Sequence, residues 1–109
     1  MRKIALSEML KGVLDGVVLQ LIGDGGGLYG YQIIKRLGGM GFGDMLEGTM
    51  YALLARLEKN GWVTKQKAPS HCGPARNVYE LTDSGRQQLA DFWIRWDFIS
   101  RHLESLRKG

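Results

Sequence analysis

A chain of 109 residues, with fifteen lysines and arginines against eleven acidic residues and one cysteine, is long enough for one domain with one core and too short for two. No apolar run reaches the ~20 residues that cross a bilayer, and the start Met1-Arg2-Lys3-Ile4-Ala5-Leu6 lacks the apolar segment and cleavage site of a secretory signal. With Cys72 unable to form an internal disulfide, a cytoplasmic protein is expected. The net charge of +4 is unevenly spread. Residues 48–79 hold Arg56, Lys59, Lys65, Lys67 and Arg76 against only Glu58, although taking in the flanking Glu47 and Glu80 lowers that local excess to +2. A local cationic excess of this kind suits a phosphate-binding surface.

From the start, Leu6, Met9, Leu10, Val13, Leu14, Val17, Val18, Leu21 and Ile22 repeat at helical spacing, and Ser7 stands where it would cap the first turn. Gly12 and Gly16 lie four apart on this predicted helix. Each costs up to about 1 kcal/mol in a helix interior, so they are either tolerated or required by close packing against a second helix. Gly23-Asp24-Gly25-Gly26-Gly27 breaks the pattern. This run follows a helix rather than a strand and lacks a Gly-Lys-Ser/Thr ending, so it reads as a turn and not as a phosphate-cradling loop. A short second helix is expected over Leu28–Leu37, ended by Gly38-Gly39, and Met40–Leu46 connects it to a third.

In that third helix Met50, Leu53, Leu54 and Leu57 fall at i, i+3, i+4 and i+7 and gather on one stripe, and Gly61 supplies a left-handed stop. The other side carries Thr49, Tyr51, Ala52, Ala55, Arg56 and Lys59. Small residues permit close approach, while hydroxyls and cations bond phosphate oxygens, and a helix about 10–12 Å across fits a major groove about 12 Å wide. Two short helices meeting across a turn make a helix-turn-helix. Trp62–Lys67 and Asn77–Leu81 then read as strands around a turn-rich segment, Ala68–Arg76. A hairpin with Lys65, Lys67 and Arg76, placed directly after a helix-turn-helix, is expected to be a wing lying along the DNA backbone.

Thr82 is placed as an N-cap with Asp83 in the first turn of a last helix running to about Arg107, ~37 Å long. Leu89, Phe92, Trp96, Ile99, Leu103 and Leu106 alternate spacings of three and four, with Trp93, Ile94 and Phe98 widening the face. Such an a/d seam fits a homodimer, and part of it could also be covered within the chain. The expected class is therefore a mainly α winged helix-turn-helix, with residues 1–82 as the DNA-binding unit and 83–109 as the dimerisation helix. A dimer would read a pseudo-palindromic operator in double-stranded DNA with half-sites about 10–10.5 base pairs, or a multiple, apart.

Catalysis is not expected. His71 and His102 lie far apart, no paired carboxylates stand out, and His71-Cys72 has no partners at metal-ligand spacing, so neither cofactor nor metal is implied. Two other readings stay open: a winged helix used as a protein–protein adaptor, and redox sensing through Cys72, whose thiol would sit among wing cations that favour the thiolate.

The pieces Leu10-Lys11-Gly12-Val13-Leu14-Asp15, Tyr29-Gly30-Tyr31-Gln32-Ile33, Glu47-Gly48-Thr49-Met50-Tyr51, Leu53–Gly61, Gly73-Pro74-Ala75-Arg76 and Tyr79–Gly85 together resemble the PadR-like transcriptional regulators over nearly the whole chain. The resemblance implies a winged-helix dimer that represses transcription, with the first and last helices forming the dimer interface, in the short form with one helix after the wing. It further implies that Trp96 stands where multidrug-sensing members stack flat aromatic compounds between tryptophans of two subunits. Trp93 adjoins it, and Asp97 or Glu104 could balance a cationic ligand; both tryptophans could equally pack the interface. Asn77 and Val78 depart from the family, which often has a second basic residue and a Tyr-Tyr pair there.

Overall fold

The computed structural model describes residues 9–10, 12–42, 47–68 and 76–109. Its elements run α1 (Leu14–Gly25), β1 (Leu28–Tyr29), α2 (Gly30–Leu37), α3 (Glu47–Lys59), β2 (Val63–Ala68), β3 (Arg76–Leu81) and α4 (Asp83–Lys108). The three strands form an antiparallel sheet in the order β1-β3-β2. This is a mainly helical winged-helix fold, as the sequence predicts.

The first helix starts later than its periodicity predicts. Gly12 has φ +85, a left-handed conformation that an α-helix cannot contain. Leu10 forms a turn there, its carbonyl accepting from the backbone N–H groups of Val13 and Leu14 at 2.9 Å each, and α1 begins at Leu14. The proposed cap, Ser7, lies outside the described residues. At the other end α1 runs through Gly23 and Asp24 to Gly25 and stops at Gly26, whose φ of 64 is the left-handed cap.

The second helix is also shorter than predicted. Leu28 and Tyr29 form β1, pairing with Tyr79 and Val78 of β3. α2 begins at Gly30, where the Tyr29 backbone N–H donates to the Gln32 side chain at 2.9 Å. Gly38-Gly39 does not end the path: the chain continues through a wide π-type turn to Phe42, in which Gly41 has φ 99.

The core is built from one stripe of each early helix. Val18, Leu19 and Ile22 of α1, Ile33 and Leu37 of α2, and Met50, Leu54 and Leu57 of α3 are all at most 2% exposed. Burial of such side chains is worth roughly 1.5–3 kcal/mol each before chain entropy is counted. Leu28, Val63 and Tyr79 close the core from the sheet.

Gly61, with φ 79, ends α3 as predicted and turns the chain into β2. Thr82 then ties the start of α4 to that turn. Its hydroxyl accepts from the Gly85 N–H at 2.9 Å and donates to the Gly61 carbonyl at 2.6 Å, and its own N–H donates to the Trp62 carbonyl at 3.1 Å. A Cβ on Gly85 would lie 1.9 Å from that Trp62 oxygen, so only glycine admits this junction.

α4 has 26 residues, ~39 Å of helix. Its first half packs on α1, where Phe92 lies over Gly16 so closely that a Cβ there would be 2.4 Å from the ring. The second half projects. The radius of gyration is 15.6 Å, against about 13 Å for a compact domain of this length.

Candidate nucleic-acid interface

α3 divides into two faces and two flanks. Met50, Leu53, Leu54 and Leu57 face the core, while Thr49, Tyr51, Ala52, Ala55 and Lys59 are exposed. At about 100° per residue, Arg56 and Glu58 fall on opposite flanks, and each finds a partner on the element beside it. Arg56 pairs with Asp15 of α1, and Glu58 lies 3.7 Å from Lys65 of β2. Arg56, predicted to reach DNA, is thus tied sideways to α1. Lys59 points outward.

The hairpin register pairs Lys65 with Tyr79, Lys67 with Asn77 and Ala68 with Arg76. Lys65 and Lys67, two apart on one strand, share a face of the sheet. Arg76 at the outer end of β3 places its guanidinium 4.8 Å from the centre of the Tyr31 ring, and Tyr31 stacks on Tyr29 with centroids 5.8 Å apart. These two tyrosines had no role in the sequence reading, although Tyr29-Gly30-Tyr31 stood out as a motif. They line a groove of about 410 Å³ together with Tyr51, Lys67, Arg76, Asn77 and Tyr79. Gly30 at its floor leaves room for the Tyr51 ring, which a Cβ would approach to 3.0 Å. Burial, then the neighbouring Glu58 carboxylate and Tyr51, pushes the Tyr79 hydroxyl above its ordinary value of 10.0, so at neutral pH it is a protonated donor. His71 and Cys72, the basis of the redox reading, lie outside the described residues.

A second site lies between the turn before α1 and the middle of α4. Gly12, Asp15, Gly16, Phe92, Arg95 and Trp96 are among the residues around a cavity of about 290 Å³. Trp96, expected to form a ligand wall between two subunits, lines this cavity within one chain, whereas Trp93 and Asp97 do not. The Trp93 indole N–H donates to the Gln20 side chain at 2.8 Å and its ring meets Phe92 edge-on at 5.0 Å. The Asp97 carbonyl accepts from Arg101 Nε at 3.1 Å one turn on, and Glu104 pairs with Arg107 at 2.5 Å. The acidic residue that lines the cavity with Trp96 is Asp15, whose carboxylate is paired with Arg56, and Arg95 lines it as well.

Among the described residues no cluster of three or more His, Cys, Asp or Glu could hold a metal, and no helix is long and apolar enough to cross a membrane. Residues 18–91 match the model of the transcriptional regulator PadR-like family. The chain belongs to that family. A transcriptional regulator from Streptococcus is 39% identical, with a TM-score of 0.83 over 91% of this PadR-like chain and 96% of the other. A PadR-like transcriptional regulator from Bacillus cereus is 36% identical, with a TM-score of 0.84 over 94% and 98%. PadR of Bacillus subtilis, solved in complex with operator DNA, is 30% identical with a TM-score of 0.67, covering 75% of this chain and 47% of that one. The family to which the sequence motifs pointed is therefore established, and its members are transcriptional regulators rather than enzymes.

Proposed function

We propose that this PadR-like protein is a cytoplasmic homodimeric repressor that binds a pseudo-palindromic operator, with α3 in the major groove and the hairpin on the flanking backbone. The observation that carries this reading is the division of α3 into an apolar face sunk in the core and an outward face of Thr49, Tyr51, two alanines and Lys59, followed at once by a cationic hairpin. Thr49, Tyr51 and Lys59 reach base edges and nearby phosphates, and Lys65, Lys67 and Arg76 neutralise backbone charge. Arg56 acts from the flank, holding α3 to α1. That the B. subtilis relative was solved in complex with operator DNA supports the DNA-binding reading.

The dimer would be sealed by α4, whose Ile94, Phe98, Ile99, Leu103 and Leu106 are half or more exposed. Effector control rests on the cavity beside Trp96. A planar aromatic compound there would stack on the indole, the aromatic contact adding ~0.5–2 kcal/mol, and a cationic one would compete with Arg56 for the Asp15 carboxylate. Its occupancy would lower operator affinity by favouring a different spacing of the two α3 helices.

Anisotropy of a duplex selected by the protein from a random library tests the docking. Binding should weaken steeply with salt, and Lys65→Ala with Lys67→Ala should flatten the slope by roughly four charges, two from each protomer. Salt-independent binding, or none, would favour a protein–protein adaptor. Quenching of tryptophan fluorescence by a planar cationic dye, lost in Trp96→Ala but not in Trp93→Ala, tests the effector site.

A further inference from the structure

The chain has four tyrosines, and all four, from α2 and its cap, α3 and the sheet, line the one groove that also holds Lys67, Arg76 and Asn77. None of its lining residues is acidic among those described. Hydroxyl and amide donors beside two cations make a poor site for an apolar ligand and a good one for an oxyanion, since charge-assisted hydrogen bonds are about twice as strong as neutral ones. The groove is already organised. Tyr29 and Tyr31 stack nearly parallel, at 14°, and the Arg76 guanidinium rests over Tyr31, which restrains a side chain that would otherwise be free to turn. Tyr51 belongs both to this groove and to the outward face of α3, so the two sites are continuous.

From this the geometry points to a seat for one backbone phosphate of the operator, in which Lys67 and Arg76 supply charge, the tyrosine hydroxyls donate, and Tyr31 is a positioning residue that holds Arg76 in place. The inference rests on the DNA-binding reading above and adds to it a third contact region, the start of α2, beside the α3 face and the wing. Because a phosphate carries no base identity, this seat tightens binding to every sequence alike and fixes the angle at which α3 enters the groove.

The test uses the full-length protein, the selected duplex and an unrelated duplex of equal length. Arg76→Gln and Tyr31→Ala should each weaken binding to both duplexes by a similar factor, about three- to ten-fold, and Arg76→Gln, which removes one cation from each half of the dimer, should lower the salt slope by ~1.8. Tyr31→Phe keeps the ring and should restore most of the affinity. A scan of single neutral methylphosphonates along the selected duplex should find one position in each half-site that weakens the parent but leaves Arg76→Gln unaffected. Both side chains are exposed, so the fold tolerates their replacement. If the methylphosphonate scan of Arg76→Gln matches that of the parent at every position, the groove is not a phosphate seat. Parental affinity in Tyr31→Ala would remove the positioning role. Failure of the parent to select any duplex would instead overturn the DNA-binding reading itself.

Discussion

In α3 the apolar residues at three-and-four spacing, Met50, Leu53, Leu54 and Leu57, are 0–5% exposed, whereas those continuing the seam of α4, Trp96, Ile99, Leu103 and Leu106, are 41–76% exposed. Periodicity sorts side chains onto a face in both helices, but what covers that face differs. α3 is surrounded by α1, α2 and the sheet. Among the described residues α4 packs on α1 and β3 through its first half, and its stripe stays exposed from Trp96 to Leu106. Surface apolar residues are ordinary when scattered; a continuous stripe of them along a projecting helix is a demand for a partner.

One chemical change made in both helices tests this contrast most directly. Leu54→Ala should cost ~2–5 kcal/mol of protomer stability, because a fully buried leucine leaves a cavity that the core fills only in part. Leu103→Ala should cost the protomer under ~0.5 kcal/mol while raising the dimer dissociation constant. Urea unfolding and sedimentation at several concentrations separate the two effects. A Leu103→Ala protein that is as dimeric as the parent would break the comparison, for then the exposed stripe is not the seam.

Within the covered part of α4, Phe92 sits on Gly16 of α1. Gly16→Ala places a methyl where the ring now lies, and overpacking of this kind costs ~1–3 kcal/mol. Combining it with Phe92→Leu should recover part of the loss, since the smaller side chain vacates the space. Thermal unfolding of the two single variants and the double variant reads the coupling. Purely additive losses would mean that α1 and α4 do not depend on this contact.

What was legible in the sequence follows the same division. α3, the hairpin and α4 were readable to within a residue or two because each is a local pattern with its own stop: Gly61 after α3, alternation in the strands, Thr82 before α4. The start of α1 was not, since the apolar repeat runs unbroken through Gly12 and nothing local announces its positive φ. β1 was hidden for a different reason. Two residues have no period, and Leu28 and Tyr29 become a strand only by meeting Val78 and Tyr79, far along the chain. The tyrosine groove and the Asp15–Arg56 pair are likewise products of assembly, in which each residue alone reads as an ordinary surface side chain.

That ion pair yields a smaller effect that sharpens the role of the α3 flank. Both partners are partly exposed, 54% for Arg56 and 25% for Asp15, so the pair contributes at most ~1 kcal/mol to stability. Arg56→Gln should lower the urea midpoint slightly and change the salt slope of DNA binding less than Lys59→Gln, which removes an outward-facing cation. Equal slope changes would return Arg56 to the DNA contacts.

The smallest effect concerns Tyr79, which anchors the sheet to the core of the winged unit. Its hydroxyl is raised above 10.0 chiefly by burial, with the Glu58 charge and Tyr51 adding to it. The folded state thus favours the protonated phenol more than the unfolded chain does. The resulting contribution is fully present below the unfolded value and is lost as pH rises through the folded one, because the unfolded chain gives up this proton first. Stability of the parent should therefore fall as pH passes 10.0, and Tyr79→Phe, which has no proton to lose there, should show a shallower fall. Urea midpoints of the two proteins measured across that range provide the comparison, with titration of the remaining lysines and tyrosines common to both. Parallel pH curves would show that the Tyr79 hydroxyl reaches solvent through the groove freely enough to ionise in the folded state as it does in the unfolded chain.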